Sequence, residues 1–181
     1  MSWSMRVRLT SNLSVIAVSL LTAFGAQAGG PTTSVQAEYL MTLSANLEAA
    51  QVVDAGMVIF NSSTGWVEGP RIKGKLVPPG GDWGHRLPSG VFRLDVRGTI
   101  QTDDGEIIFI SYNGISQCPK ETNDRLSKGE LIKSADCYFL AAPTFETKSE
   151  KYSWLNGLQA VAKMTEFKRA DHVTYDIFAL K

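Results

Sequence analysis

The 181-residue chain contains only two cysteines and two histidines, and with the cysteines expected to pair with each other too few ligands remain for a structural zinc site of the usual Cys/His kind. It has no Gly-x-Gly-x-x-Gly opening a helix, no Walker loop, no Gly-x-Ser-x-Gly and no His-Glu-x-x-His. These absences remove the common dinucleotide, nucleotide, esterase and zinc-protease signatures. EF-hand spacing is missing too, so no metal site and no cofactor is read from the sequence. Charge of one sign is also lacking: 18 Lys and Arg balance 18 Asp and Glu, leaving no global field to draw in nucleic acid or an anionic membrane. Lys168-Arg169 reads as a solvated turn, because no basic stripe with interleaved aromatics accompanies it. No internal repeat occurs at periods of roughly 20–50 residues. What is present is 44% hydrophobic residues and a length suited to one domain, enough for a core and unlike a disordered chain.

Residues 1–28 differ from the rest. Arg6 and Arg8 are their only charges, an apolar stretch runs from Leu13 to Phe24, and Ala26-Gln27-Ala28 has the small-x-small pattern of a signal-peptidase site. The apolar stretch falls short of the roughly 20 residues that a permanent spanning helix needs. The expectation is a cleavable signal peptide over 1–28 and a single domain over 29–181. The localisation that follows is periplasmic or secreted, with no stable membrane anchor after cleavage. In an oxidising compartment Cys118 and Cys137 are expected to form a disulfide, worth roughly 3 kcal/mol for a loop of this size. The enclosed segment, Pro119 to Asp136, is polar.

From Ala37 onward the dominant hydrophobic period is two. Phe92, Leu94, Val96 and Ile100 take one face of a strand over Val91–Ile100, and Arg93, Asp95, Arg97 and Thr99 take the other. Asp103-Asp104-Gly105 marks a hairpin turn, followed by a strand over Glu106–Tyr112 that ends at Asn113-Gly114. Further strands are expected at Glu38–Asn46, Gly56–Asn61, Arg71–Val77, Cys137–Ala141, Phe145–Thr147, Gly157–Lys163 and His172–Leu180. Turn residues at 61–65, 78–81 and 88–90 separate them. One short helix is expected within Asn123–Ser134, capped by Thr122 or Asn123 and weakened by Gly129. The fold class is therefore all-β. A closed antiparallel barrel is favoured because closure removes exposed edge strands.

Several segments in series carry a family resemblance. They are Gly65-Trp66-Val67-Glu68-Gly69-Pro70-Arg71-Ile72-Lys73-Gly74, Pro79-Gly80-Gly81-Asp82-Trp83, Asp95-Val96-Arg97 and Thr102-Asp103-Asp104-Gly105-Glu106-Ile107-Ile108. Pro143-Thr144-Phe145-Glu146-Thr147 and Tyr152-Ser153-Trp154-Leu155-Asn156 complete the set. In this order they resemble domain-of-unknown-function family 3237, also grouped as uncharacterised protein family 0311, over about residues 35–180. The resemblance implies a small β-barrel of calycin-like appearance and no settled activity. The chain departs from the pattern where Leu140-Ala141 stands in place of an Arg-Thr pair and Ser89-Gly90 in place of Asp-Gly.

Three clusters are candidates for chemistry. On the charged face of strand 91–100, Asp95 between Arg93 and Arg97 could hold a polar ligand or take a proton if that face lines the lumen. The opposite parity would make it a solvated surface. In the second cluster, the Gly80-Gly81 pair could present Asp82 and Trp83 at the barrel mouth, or Asp82 could cap a turn while Trp83 plugs the core. The third comprises Glu146 with Tyr152, Trp154 and Asn156, readable as acid–base chemistry or as aromatic packing. Asp95, Arg97 and Glu146 are thus candidate catalytic residues, and Asp82, Trp83, Tyr152, Trp154 and Asn156 candidate ligand contacts. His85 is either an acid/base at the mouth or an exposed loop residue. The leading expectation is a barrel, monomeric or dimeric, that binds a small, partly apolar organic molecule and no nucleic acid. The rivals are a cofactor-free isomerase, cyclase or lyase with a carboxylate base, and a structural or interaction module without a pocket.

Overall fold

The computed structural model describes residues 33–62 and 64–181, so the expected signal peptide lies outside the described residues. Eleven strands form one antiparallel sheet: β1 (Ala37–Asn46), β2 (Gln51–Val52), β3 (Met57–Asn61), β4 (Thr64–Gly69), β5 (Ile72–Arg86) and β6 (Phe92–Thr102) come first. They are followed by β7 (Ile107–Gln117), helix α1 (Lys120–Ser127), β8 (Ile132–Lys133), β9 (Tyr138–Glu146), a 3-10 turn (Ser153–Gly157), β10 (Ala160–Lys168) and β11 (His172–Leu180). Eight of these strands run in the cyclic order β5-β4-β1-β11-β10-β9-β7-β6, and the pairing of β5 with β6 closes the barrel. The pair β2–β3 extends the sheet outside the ring by pairing with the second half of β5.

Alternation sets inside from outside. Leu94 and Ile100 on β6, Ile108 and Ile110 on β7, Phe139, Ala141 and Phe145 on β9, and Val173, Tyr175 and Ile177 on β11 are all buried. Together with Met41, Leu43 and Ala45 of β1 they form a single interior cluster. Each such aliphatic or aromatic side chain contributes about 1.5–3 kcal/mol on burial, so the period of two is what selects the inner face.

The two barrel ends are built differently. At the end where the β4–β5 and β6–β7 hairpins turn, the Asp103-Asp104-Gly105 turn forms as expected, with Gly105 at φ 90°. There the Tyr152 hydroxyl donates to Asp104 Oδ1 at 3.1 Å and Thr102 Oγ1 donates to the same oxygen. Fully buried Leu155 joins Met41 and Ile177 in the interior cluster, and this end is closed. At the opposite end the β5–β6 and β10–β11 hairpins and α1 surround an opening. The helix is short and starts after Pro119 with no side-chain cap. Thr122 is a buried residue whose hydroxyl donates to the Asp136 carbonyl, instead of the N-cap expected of it. The helix stops before Gly129, whose φ of 76° continues no helix. Cys118 and Cys137 are joined by a disulfide that ties the entry of α1 to the start of β9.

Several boundaries differ from the sequence expectation. Pro78-Pro79-Gly80-Gly81 lies inside β5, not in a turn, because β5 carries extra residues there while its partner runs on. Thr99 pairs with Val77 and Arg97 with Gly81, so β5 advances four residues while β6 advances two. Asn113-Gly114 continues β7, since Asn113 Nδ2 donates to the Leu94 carbonyl across the strand pair. The two strands expected around residues 137–147 are one, and β4 was missed because its Gly and Thr look like turn residues.

Gly84 shows why the open end needs a residue without a side chain. A Cβ there would meet the Phe92 ring at 2.0 Å. Phe92 lies over this gap, with Phe60 edge-on at 6.3 Å and the Arg86 guanidinium 5.5 Å above it. Gly84→Ala should therefore lower stability by about 1–3 kcal/mol in a urea titration, and Phe92→Leu in the same chain should restore much of it. An unchanged midpoint for Gly84→Ala would contradict the contact. Thiol titration of the unfolded, unreduced protein should find no free cysteine, whereas two reactive thiols would refute the bridge.

Candidate functional site

β6 carries the clearest alternation in the chain, and its parity decides where the charged face goes. Leu94 is buried, with Phe92 and Val96 packed against the core, so Arg93, Asp95, Arg97 and Thr99 lie on the outer side. Of the two parities that the sequence left open, the structure has the solvated one: apolar residues win the interior because ionic groups lose more on desolvation. Outside, Arg97 Nη1 lies 3.1 Å from Asp95 Oδ1, with both side chains about half exposed. Trp83 is also on the outer face, 39% exposed, and the Arg97 guanidinium sits 5.8 Å from its ring centre. His85 is exposed on the same side and pairs across the sheet with Arg93.

The third cluster belongs to the closed end. Glu146 is exposed at the last position of β9. Tyr152 is buried against Asp104, and Lys151 Nζ lies 2.5 Å from the other Asp104 oxygen. These donors, Lys151 first, hold the Asp104 carboxyl well below the ordinary carboxylate range. Trp154 carries the Arg71 guanidinium 3.8 Å above its ring, and the Asn156 side chain accepts from the Thr147 amide and donates to its carbonyl. These contacts knit the loop after β9 to the barrel floor.

Asp82 differs from all of these. It follows the Pro78-Pro79 irregularity of β5, where two extra residues preserve the inside–outside parity begun by Ile72, Gly74 and Leu76. Its carboxylate therefore points inward, beside Leu76, Leu94, Val96, Ile110 and Phe139, into a cavity of about 330 Å³ that reaches the open end. Burial raises its pKa from 3.8 to about 6, against the opposing effect of one hydrogen bond from the Asp95 amide at 2.9 Å. Tyr112 and Tyr175 line the same cavity, their rings edge-on with centroids 6.0 Å apart. Burial pushes both upward, and the nearby Asp82 carboxylate adds to the shift, so both remain protonated hydroxyls in neutral water. Ser62 lines the wall as well, and its buried hydroxyl has no hydrogen-bond partner among the described residues. A largely apolar chamber with one acceptor-rich carboxyl and three hydroxyls can hold an organic molecule and direct its polar atoms.

Of the residues lining this cavity, the sequence singles out Asp82 and passes over Ser62, Tyr112 and Tyr175. Tyr112 and Tyr175 sit at inward positions of alternating strands, where a tyrosine looks like any other core aromatic. The only available signal was their parity with Ile110 and Ile177. Ser62 lies in a stretch that reads as a turn. Among the described residues, no group of three or more His, Cys, Asp or Glu side chains is placed to hold a metal ion.

The barrel has solved counterparts. A conserved protein of unknown function from Rhodopseudomonas palustris superposes with a TM-score of 0.77 at 26% identity, covering 83% of this chain and all of that one. A β-barrel-like protein from Acinetobacter baumannii gives 0.66 at 31% identity, over 86% of this chain and 100% of the other. An enzyme from Penicillium herquei shares the fold at a TM-score of 0.61 and 23% identity, over 84% of this chain and 99% of its own. The model of the family described as "Protein of unknown function (DUF3237)" matches residues 35–180, and the chain belongs to that family.

Proposed function

We propose that the barrel is an exported binding protein for a small, mostly apolar organic molecule whose polar atoms meet Asp82, Ser62, Tyr112 and Tyr175. The observation that carries this reading is the largely buried carboxyl of Asp82, which faces an apolar cavity with no cation paired with it among the described residues. Keeping such a group unpaired costs stability, and sites with strongly shifted titrating groups in a concavity are where ligands and chemistry are found. Export is supported by the disulfide between Cys118 and Cys137, by the character of residues 1–28, and by the lack of a helix long and apolar enough to span a membrane among the described residues. Among the residues singled out in the sequence, Asp82 is the one assigned to the ligand. Asp95, Arg97 and Trp83 belong to an outer surface, and Glu146, Tyr152, Trp154 and Asn156 to the closed end.

A second reading, a cofactor-free enzyme, is favoured by one feature: a carboxyl titrating at about 6 beside neutral phenols suits proton transfer near neutral pH. Asp82 would take a proton from carbon or oxygen, and Tyr112 or Ser62 would donate to the oxygen that gains charge. The Penicillium herquei enzyme lends this reading nothing beyond a shared fold.

Two measurements test the site. Folded Asp82 keeps its proton up to about pH 6 whereas an unfolded chain releases it near 3.8, so the ionised group penalises the fold above pH 6. The penalty fades as pH falls from about 6 to 4 and is absent below that. Asp82→Asn keeps an acceptor for the Asp95 amide and removes the charge. It should be more stable than the parent by about 3 kcal/mol near pH 8 and equal to it below about pH 4 in denaturant titrations. A difference independent of pH would show that Asp82 is not desolvated. Native mass spectrometry of protein purified from its own host should show a small-molecule adduct that Val96→Trp, which fills the cavity, removes without loss of fold. An adduct that survives Val96→Trp would place the ligand elsewhere and overturn the proposal.

A further inference from the structure

The ligand's polar inner end is addressed by Asp82 and the hydroxyls around it, but the cavity also has a charged rim at the open end. Besides Asp82, the charged residues that border the cavity are arginines: Arg86 and Arg169 at the open end, and Arg97, whose side chain is turned to the outer face. Arg97 is already held by Asp95 at 3.1 Å. Arg86, the last residue of β5, stacks 5.5 Å over Phe92 and forms no ion pair among the described residues. Arg169, in the turn between β10 and β11, likewise forms none.

Two acids beside these arginines are committed elsewhere: Asp54, in the turn whose Gly56 carbonyl accepts from the Arg86 amide, and Asp171, two residues after Arg169. Asp54 accepts from the amides of Gly56 and Met57, each at 2.7 Å. Asp171 binds Lys168 at 2.8 Å and His172 at 2.8 Å. The rim therefore presents two guanidiniums with free donors over a chamber walled by Leu47, Phe60 and Phe167. Both residues are exposed, and guanidinium forks match carboxylate, sulfonate and phosphate oxygens. An anion on the deep side would instead face the Asp82 carboxylate, which repels it once ionised.

On the reading that the cavity binds a small organic molecule, we propose that Arg86 and Arg169 select amphipathic organic anions, with the apolar body in the barrel, the acidic head at the rim and a hydroxyl or carbonyl inside. The site is thus polar at both ends and dry between them. Its two ends ask for different chemistry, a hydrogen-bonding group within and a full negative charge outside.

The test uses two fluorescent probes with one aromatic body. 8-Anilinonaphthalene-1-sulfonate carries the anion, and N-phenyl-1-naphthylamine lacks it. Both are titrated into the protein, into Arg86→Met/Arg169→Met, into Arg86→Lys/Arg169→Lys and into Val96→Trp, with circular dichroism confirming the fold of each. The expected result is that the methionine pair weakens the sulfonate probe on the order of tenfold and leaves the neutral probe unchanged. The lysine pair should retain most of the sulfonate affinity, and added salt should weaken that probe only where the cations remain. Equal sulfonate affinity in the parent and the methionine pair, with both probes expelled by Val96→Trp, would overturn the anion selectivity and leave the binding cavity standing. If neither probe binds, or Val96→Trp displaces neither, the cavity reading itself falls and takes this inference with it.

Discussion

Closure of β5 on β6 requires β5 to absorb the Pro78-Pro79 segment, and the manner of that absorption decides which way every later side chain of β5 faces. Pairing advances four residues on β5 for two on β6 between Val77 and Gly81. An insertion of two keeps side-chain parity, whereas an insertion of one would turn all later side chains to the other face. Asp82 and Gly84 therefore face the lumen, and Trp83 and His85 face out. A carboxylate enters an interior otherwise built from Leu76, Leu94, Val96, Ile110 and Phe139. The backbone irregularity and the buried charge are two aspects of one constraint.

That arrangement is costly, and the rest of the barrel offsets the cost. The interior near the closed end is filled with Met41, Ile100, Ile108, Leu155, Met164 and Ile177, all essentially inaccessible. The same end is sealed by the Asp104 network with Thr102, Lys151 and Tyr152. Packing thus concentrates where no ligand is expected, and the open half keeps its room. Natural proteins tolerate an unfavourable buried group chiefly where function uses it. The disulfide between Cys118 and Cys137, with Ser116 beside both sulfurs, holds α1 at that open half, where Asn123, Leu126 and Ser127 complete the wall. The polar excursion around the helix is therefore part of the chamber and not merely an ornament on the barrel.

The sequence conveys the barrel better than the site. Strand β11 is legible residue for residue, because Val173, Tyr175, Ile177 and Ala179 alternate with polar or outward neighbours and Asp171 precedes them in a turn. β5 is not legible past Val77, since Pro-Pro-Gly-Gly looks locally like a turn and only its partner strands show that the chain stays extended. Among the candidate site residues, Asp82 was recognisable from a glycine pair followed by an acid and an aromatic. Asp95 and Arg97 attracted equal notice for their chemistry, yet they lie outside, paired with each other and half exposed.

Sequence alone determined the all-β class, the inner-and-outer alternation of each strand, the Asp-Asp-Gly hairpin and the single cysteine pair, because these depend on near neighbours in the chain. Which of two alternating faces became the interior was decided by the tertiary structure. Period-two patterning is symmetric until another strand covers one side, and the side that closes is the one that loses least on leaving water. The meeting of Asp82 with Ser62, Tyr112 and Tyr175, and of Arg86 with Arg169 at the rim, was decided in the same way. Their separations along the chain carry no local signal, and only the circular order of eight strands brings them around one space.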